Sequence, residues 1–183
     1  MGSESKEENV LKLVLENSPL KEWHFSEIVK EAKVTKAVAN KWLKKYVNEK
    51  LLKKTKEKNK FPYFTVGTNN PVYYSLKRIY VLNQMHDCGL IPKLLSLKKA
   101  KTVILFGSIS RGDWYKNSDI DIFIYGGVED FDKHFYELKL GKHIELHVFE
   151  DKADILEVKT GLFKNIINGY FVKGQIQDIA EVA

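Results

Sequence analysis

Two aspartates separated by a single residue, Asp119 and Asp121, stand at the head of the apolar run Ile120 to Ile124. In an extended strand the side chains alternate, so both carboxylates share one face while Ile120, Ile122 and Ile124 take the other. Carboxylates held side by side raise each other's pKa unless a cation joins them. A hard divalent ion such as Mg2+ resolves that conflict and brings substrate phosphates with it. Just upstream, Thr102 to Phe106 is a short, β-branched apolar run that reads as a buried strand ending at Gly107-Ser108. A glycine there lets the backbone come close to a ligand, and the turn into a following helix aims free N–H groups at an anion.

Downstream, His143 to Phe149 reads as a further strand, with Ile144, Leu146 and Val148 inward and His143, Glu145 and His147 on the opposite face. Glu145 is the candidate to join the aspartate pair; Glu150 or Asp154 takes its place only if the strand register differs. The alternation of His143, Glu145 and His147 also fits a transition-metal site, although three polar residues on one strand face more often line a cleft. Arg111 either contacts bound phosphate or pairs with Asp113 or Asp119. Trp114 reads as packing or a loop anchor rather than a base-stacking surface, and the aromatics Tyr63, Phe64, Tyr73, Tyr74 and Tyr80 read the same way.

These residues occupy one half of a chain whose charge is uneven. Of 183 residues with a formal net charge of +6, residues 1–99 carry 20 Lys+Arg against 10 Asp+Glu, and residues 100–183 carry 10 against 14. The basic half suits a polyanion and the acidic half a metal ion or a cationic surface, which predicts two domains. With 44% hydrophobic and 30% charged residues and only 4 Pro, the composition excludes a disordered or collagen-like chain. No apolar run approaches the ~20 residues of a membrane helix, and MGSESKEEN lacks the apolar core of a secretory leader. A soluble, cytoplasmic protein with no membrane partner is expected. The lone Cys88 allows neither an internal disulfide nor a Cys-rich zinc site.

In the basic half, Val10, Leu11, Val14 and Leu15 recur at helical spacing over Lys6 to Asn17. Ser26 is the expected cap of a second helix that turns Phe25, Ile28, Val29 and Ala32 inward. Thr35 is the expected cap of a third, with Val38, Ala39, Trp42, Leu43, Tyr46 and Val47 as its buried stripe. A basic and then aromatic run, KKTKEKNKFPYFTV, precedes a turn signal at Gly67 to Pro71, after which Val72-Tyr73-Tyr74 is predicted to resume a strand. Two short helices followed by a hairpin resemble a winged helix-turn-helix domain, most closely over Phe25 to Leu52. Such a domain implies duplex DNA as partner, with Lys36, Asn40, Lys41 and Lys44 toward the major groove and Lys54, Lys56 and Lys58 toward phosphates. Lys53 and Lys60 lie on the same basic run, and Asn40 is the one evident base reader. An interaction or dimerisation role is the competing use of this domain. Leu76, Ile79, Tyr80, Leu82 and Met85 predict a helical connector, ended by Gly89 and followed by a second helix from Pro92, suited to a buried strut or a homodimer interface.

The string GSISRGDWYKNSDIDIFI completes the pattern in the acidic half: Gly107-Ser108, ten intervening residues, Asp119-x-Asp121 on a strand, and a later carboxylate on a neighbouring strand. It resembles the nucleotidyltransferase superfamily of the DNA polymerase β type, and its minimal prokaryotic branch in particular. That branch commonly has Ala where Ser110 stands. The resemblance covers residues 100–173, including the ending Ile167 to Val172.

The resemblance implies catalytic and metal-binding roles for Asp119, Asp121 and Glu145 around Mg2+ or Mn2+, and nucleotide phosphate contacts from Gly107, Ser108, Arg111 and Ser118. Many relatives carry Asp where Glu145 stands. The expected architecture is α+β: a winged helix-turn-helix domain over 1–76, a helical connector over 77–99, and a small mixed-sheet nucleotidyltransferase domain over 100–183. The expected activity moves an NMP, AMP foremost, from an NTP to an acceptor the sequence does not identify. In related minimal nucleotidyltransferases that acceptor can be a partner toxin protein, a role that would make this chain antitoxin-like. The alternatives are a DNA-binding transcriptional regulator whose transferase-like domain binds nucleotide without catalysis, and a purely structural interaction module. The transferase half leaves little chain to hold a long template, which argues against a processive polymerase or a tRNA-end-adding enzyme.

Overall fold

The computed structural model describes residues 6–67 and 69–180, so residues 1–5, within the segment read for a leader, and Thr68 of the expected turn lie outside the described residues. The chain divides into two compact units, 1–76 and 77–183.

The first unit opens with α1 (Lys6–Leu15), β1 (Trp23–His24), α2 (Phe25–Glu31) and α3 (Lys36–Asn48). Val10, Val14 and Leu15 of α1, Ile28 of α2 and Ala39, Leu43 and Tyr46 of α3 are buried, as their helical spacing requires. Thr35 caps α3, its Oγ1 accepting from the Val38 N–H at 3.3 Å. Helix α2 starts one residue before Ser26, which therefore is not its cap. The cap position falls on extended His24 because Trp23 and His24 pair with Phe64 and Tyr63 as a strand.

The hairpin consists of β2 (Lys53–Thr55) and β3 (Tyr63–Thr65), and with β1 it forms a sheet of order β1-β3-β2. The predicted turn at Gly67 to Pro71 is thus misplaced. The chain reverses between Lys56 and Pro62, where Asn59 takes a left-handed φ of 64° and Lys60 pairs with Glu57 at 2.6 Å. Val72-Tyr73-Tyr74 is helical, in α4 (Pro71–Asp87). Asn70 Oδ1 accepts from the Tyr73 N–H at 3.2 Å and Pro71 takes the first helical position, so residues typical of a turn here start a helix. The Tyr73 hydroxyl donates to the Asn17 carbonyl at 2.9 Å, tying that helix start to the end of α1.

The second unit begins within α4 and continues through α5 (Leu90–Ser96), β4 (Ala100–Phe106), α6 (Ser108–Arg111), β5 (Ile120–Gly126) and α7 (Lys133–Leu140). It ends with β6 (Ile144–Phe149), α8 (Lys152–Leu156), α9 (Thr160–Ile167), β7 (Tyr170–Lys173) and a 3₁₀ turn at Ile176–Asp178. Gly89, at φ 88°, breaks the chain between α4 and α5 as expected, but α5 starts at Leu90, so Pro92 is its third residue rather than its first. Pro is tolerated there because the first helical N–H groups have no partner within the helix.

The sheet order is β6-β5-β4-β7, with β5 and β6 parallel and the other pairs antiparallel. A parallel pair needs a crossover, and α7 supplies it. One face packs Val103, Leu105, Ile120, Ile122, Ile124 and Ile144 against Val81, Met85, Leu90 and Leu94. The other packs Ile104, Phe106, Phe123 and Tyr125 against Ile155, Ile166 and Ile179. Burial on both faces is why β4 and β5 read as nearly continuous apolar runs. Strand β6, at the sheet edge, departs from its expected pattern. Val148 is 40% exposed, whereas Phe149 turns to the other face and stacks on Phe123 at 5.4 Å.

Candidate active site

Strand β4 delivers the chain to Gly107, whose φ of 68° favours glycine and whose missing side chain leaves space for the Asp121 carboxylate; a Cβ there would overlap it. A single helical turn, α6, follows and is closed by Gly112 at φ 77°. The Ser110 hydroxyl donates to the Gly107 carbonyl at 3.0 Å, fixing the shape of this loop. The loop, the start of β5 and the middle of β6 border one cleft of about 560 Å³. Gly107, Ser108, Arg111, Ser118, Asp119, Asp121 and Glu145 all line it.

Parallel pairing of β5 with β6 sets Asp121 directly opposite Glu145 and Phe123 opposite His147. Donor atoms of Asp121, Glu145 and His147 lie within 4.8 Å of one another. Burial pushes the half-buried Asp121 carboxyl above its usual range, and the neighbouring charge of Glu145 adds to the rise. Asp119 pushes the same way more weakly, while His147 and Arg111 oppose it. The His147 ring packs against Phe106 at 5.2 Å, with its Nε2 3.4 Å from Glu145 Oε1.

Asp119 stands apart from this cluster. It precedes β5 rather than lying within it, and its exposed carboxylate sits at the cleft wall 3.8 Å from His143 Nδ1. Arg111 donates through Nε to Asp113 at 2.9 Å, the ion pair read as one of its two uses, while still lining the cleft. The Ser118 hydroxyl oxygen accepts from the Tyr115 N–H at 2.8 Å, so this side chain also shapes its own loop.

Two lysines hold that loop from behind. The buried Lys77 ammonium donates to the Trp114 carbonyl, and Trp114 Nε1 donates back to the Lys77 carbonyl at 3.3 Å. Lys142 Nζ donates to the Tyr115 and Lys116 carbonyls, each at 2.7 Å. Trp114 is fully buried and stacks on Tyr80 at 6.1 Å, which makes it the anchor of the loop and leaves no face for a base. Strand β6 is placed by similar means. The Ile120 N–H donates to the His143 carbonyl at 2.8 Å and the Ile144 N–H to Glu137 Oε1 at 2.9 Å, a bond that holds the Glu137 carboxyl below its usual range.

His147, which from the sequence fits a transition-metal site or a cleft wall, lines the cleft, and Asn117, Leu162 and Asn165, which carry no such signal, line it too. The signal for His147 was its spacing of two from Glu145 on one strand. Asn165 lies on α9, where only the tertiary fold brings it to the cleft. In the first unit, Lys36, Asn40, Lys41 and Lys44 form the exposed face of α3, and Lys54, Lys56 and Lys58 are exposed on β2 and the hairpin turn.

The cluster suits a divalent cation: two carboxylate oxygens and an imidazole nitrogen converge, and the carboxylates repel each other without one.

A family model described as "Nucleotidyltransferase domain" matches residues 88–180. A Methanocaldococcus jannaschii protein named "Putative protein adenylyltransferase" is 37% identical over 82 residues, spanning 44% of this chain and 72% of that relative. Two solved structures, titled as a toxin-antitoxin with AMP-PNP and as a mutant toxin-antitoxin MntA-HpeT, are 21% and 19% identical. Each match covers 56% of this chain and 77% of the other, at a TM-score of 0.34.

The raised pKa of Asp121 has a thermodynamic consequence. A carboxyl that holds its proton more tightly when folded loses stability as pH rises from the unfolded-state pKa through the folded one. In metal-free protein at neutral pH, Asp121→Asn is therefore expected to raise the Tm by roughly 1–3 °C, a small effect because the group is half exposed to solvent. The gain should shrink as pH falls through the raised folded-state pKa and vanish once pH drops below the unfolded-state value of about 4, where both states are protonated. Calorimetry of both proteins across that range checks it; a Tm that falls at neutral pH would contradict the electrostatic account.

Proposed function

Because the chain belongs to the nucleotidyltransferase domain family and is a nucleotidyltransferase, we propose that its cleft transfers AMP from ATP to a hydroxyl of a protein acceptor, with Mg2+ or Mn2+ as cofactor. The observation that carries this reading is the Asp121–Glu145 pair, set opposite each other at the end of a glycine loop shaped for close approach. Asp119, Asp121 and Glu145 would hold the cation, which supplies charge neutralisation on the triphosphate. The Gly107-Ser108 loop would bind the β- and γ-phosphates, with Arg111 and Ser118 adding contacts from the cleft wall.

In the reaction the acceptor oxygen bonds to the α-phosphorus as the bond from that phosphorus to the bridging oxygen of the β-phosphate breaks. Pyrophosphate leaves, and the acceptor hydroxyl loses its proton to Glu145. A protein acceptor is favoured by the name of the Methanocaldococcus jannaschii relative. A small toxin is the acceptor class the family resemblance implies, which makes an antitoxin-like role part of this reading.

The first unit is read as a winged helix-turn-helix domain that binds duplex DNA. Three helices, a small sheet with a long hairpin, and the lysine-rich exposed face of α3 support that assignment. Lys36, Lys41 and Lys44 with Asn40 would face the groove, and Lys54, Lys56 and Lys58 the backbone. Lys60 is a weaker contributor, being paired with Glu57.

Incubation with α-labelled ATP and Mg2+ in the presence of candidate acceptors tests the chemistry. Wild type is expected to transfer label, and the double variant Asp119→Asn/Asp121→Asn to lose at least about a hundredfold in rate, given the several kcal/mol that metal neutralisation supplies. Equal labelling by both would contradict the site.

Titration of the full chain with duplex DNA tests the second assignment. Affinity should fall steeply with salt, with a slope of log K against log salt near −0.9 per neutralised phosphate. No affinity even at low salt would overturn it.

A further inference from the structure

We propose that His147 is a direct ligand in the cleft's cation site and gives that site a preference for first-row transition-metal ions, such as Co2+ or Mn2+, over Mg2+. This rests on the reading of Asp121 and Glu145 as the carboxylates that hold a divalent ion.

Three observations carry it. His147 lies two residues beyond Glu145 on β6, so both side chains leave the same face of the strand. Its ring is held against Phe106, and the side chain is only 21% exposed, which restricts it to orientations along the cleft wall. A ring nitrogen falls within 4.8 Å of both carboxylates, whereas the Asp119 carboxylate does not join that group. Donors sharing one ion at about 2.1 Å each lie no more than about 4.2 Å apart, so only small rotations are needed to close the site.

An imidazole changes what such a site selects. Mg2+ prefers oxygen donors and keeps its waters, while imidazole favours later first-row ions, with affinity rising from Mn2+ toward Co2+ and Ni2+. A mixed oxygen and nitrogen set thus ranks Co2+ above Mn2+ and both above Mg2+. The competing use of His147 is a simple ion pair with Glu145, which would leave metal preference untouched.

Calorimetric titration of the full chain with Co2+ alone and with Mg2+ alone separates the two. His147→Ala and the bulkier His147→Gln are each expected to weaken Co2+ at least about tenfold while changing Mg2+ less than about threefold. Wild type with Co2+ should also show a hyperfine-shifted imidazole N–H proton resonance that both variants lack. Unchanged Co2+ affinity, or equal loss for both ions, overturns the ligand assignment. Asp121→Asn serves as the control on the underlying reading and should weaken both ions. Failure of Asp121→Asn to weaken either would overturn the carboxylate site and this proposal with it, an outcome distinct from a His147 result alone.

Discussion

The register of one parallel strand pair governs the second unit. With β5 beside β6, Asp121 faces Glu145 and Phe123 faces His147. A slip of one residue would turn Glu145 and His147 to the opposite face and bring Ile144 and Leu146 into the cleft. Ile144 is fully buried among Ile120, Ile122 and Val103, so the apolar core enforces the same register that brings the carboxylates together. Packing therefore half-buries Asp121 opposite Glu145; burial first and the Glu145 charge second push its carboxyl above the usual range, and a cation would relieve both.

The surrounding elements serve that contact from two sides. Gly107 lets the loop after β4 press against the Asp121 carboxylate, which places Ser108 beside the acidic pair. Behind the β5 approach, Trp114 fills a buried position while Lys77 and Lys142 occupy three consecutive carbonyls of its loop. These backbone contacts, with the Ser118 hydroxyl accepting from the Tyr115 N–H, hold the loop so that the Asp119 carboxylate stands exposed at the cleft wall. Such a frame leaves functional side chains available, as precise sites require.

Much of this was legible in the residues. The stripe and cap of α3 and the buried strands β4 and β5 follow from spacing alone. The meeting of Gly107, Asp121 and Glu145 at one cleft agrees with the expected set, although the register that brings Glu145 opposite Asp121 is set by the fold. The hairpin turn was misread because Asn70 and Pro71 serve equally as turn formers and as a helix start, and only the Asn70 bond to the Tyr73 N–H decides between them. Val148 escaped the inward pattern because β6 lies at the sheet edge, where its inner face is only partly covered. His147 was undervalued for a similar reason: its partners depend on inter-strand register, which spacing along one strand does not reveal. Asp119 reads as the twin of Asp121, yet the strand begins only after it, and its carboxylate meets His143 instead.

The charge division between residues 1–99 and 100–183 now has a local basis, with exposed lysines on α3 and the hairpin in one part and a repelling acidic pair in the other. The acidic pair is the more demanding of the two, since Asp121 is half buried beside the like charge of Glu145, which His147 and Arg111 only partly offset. Anomalous diffraction from crystals grown with Mn2+ and a non-hydrolysable ATP analogue tests its role most directly. The expected result is a Mn2+ peak between Asp121 and Glu145, with the triphosphate against Gly107-Ser108. A nucleotide bound elsewhere, or a triphosphate in the cleft with no metal at this pair, would contradict the account.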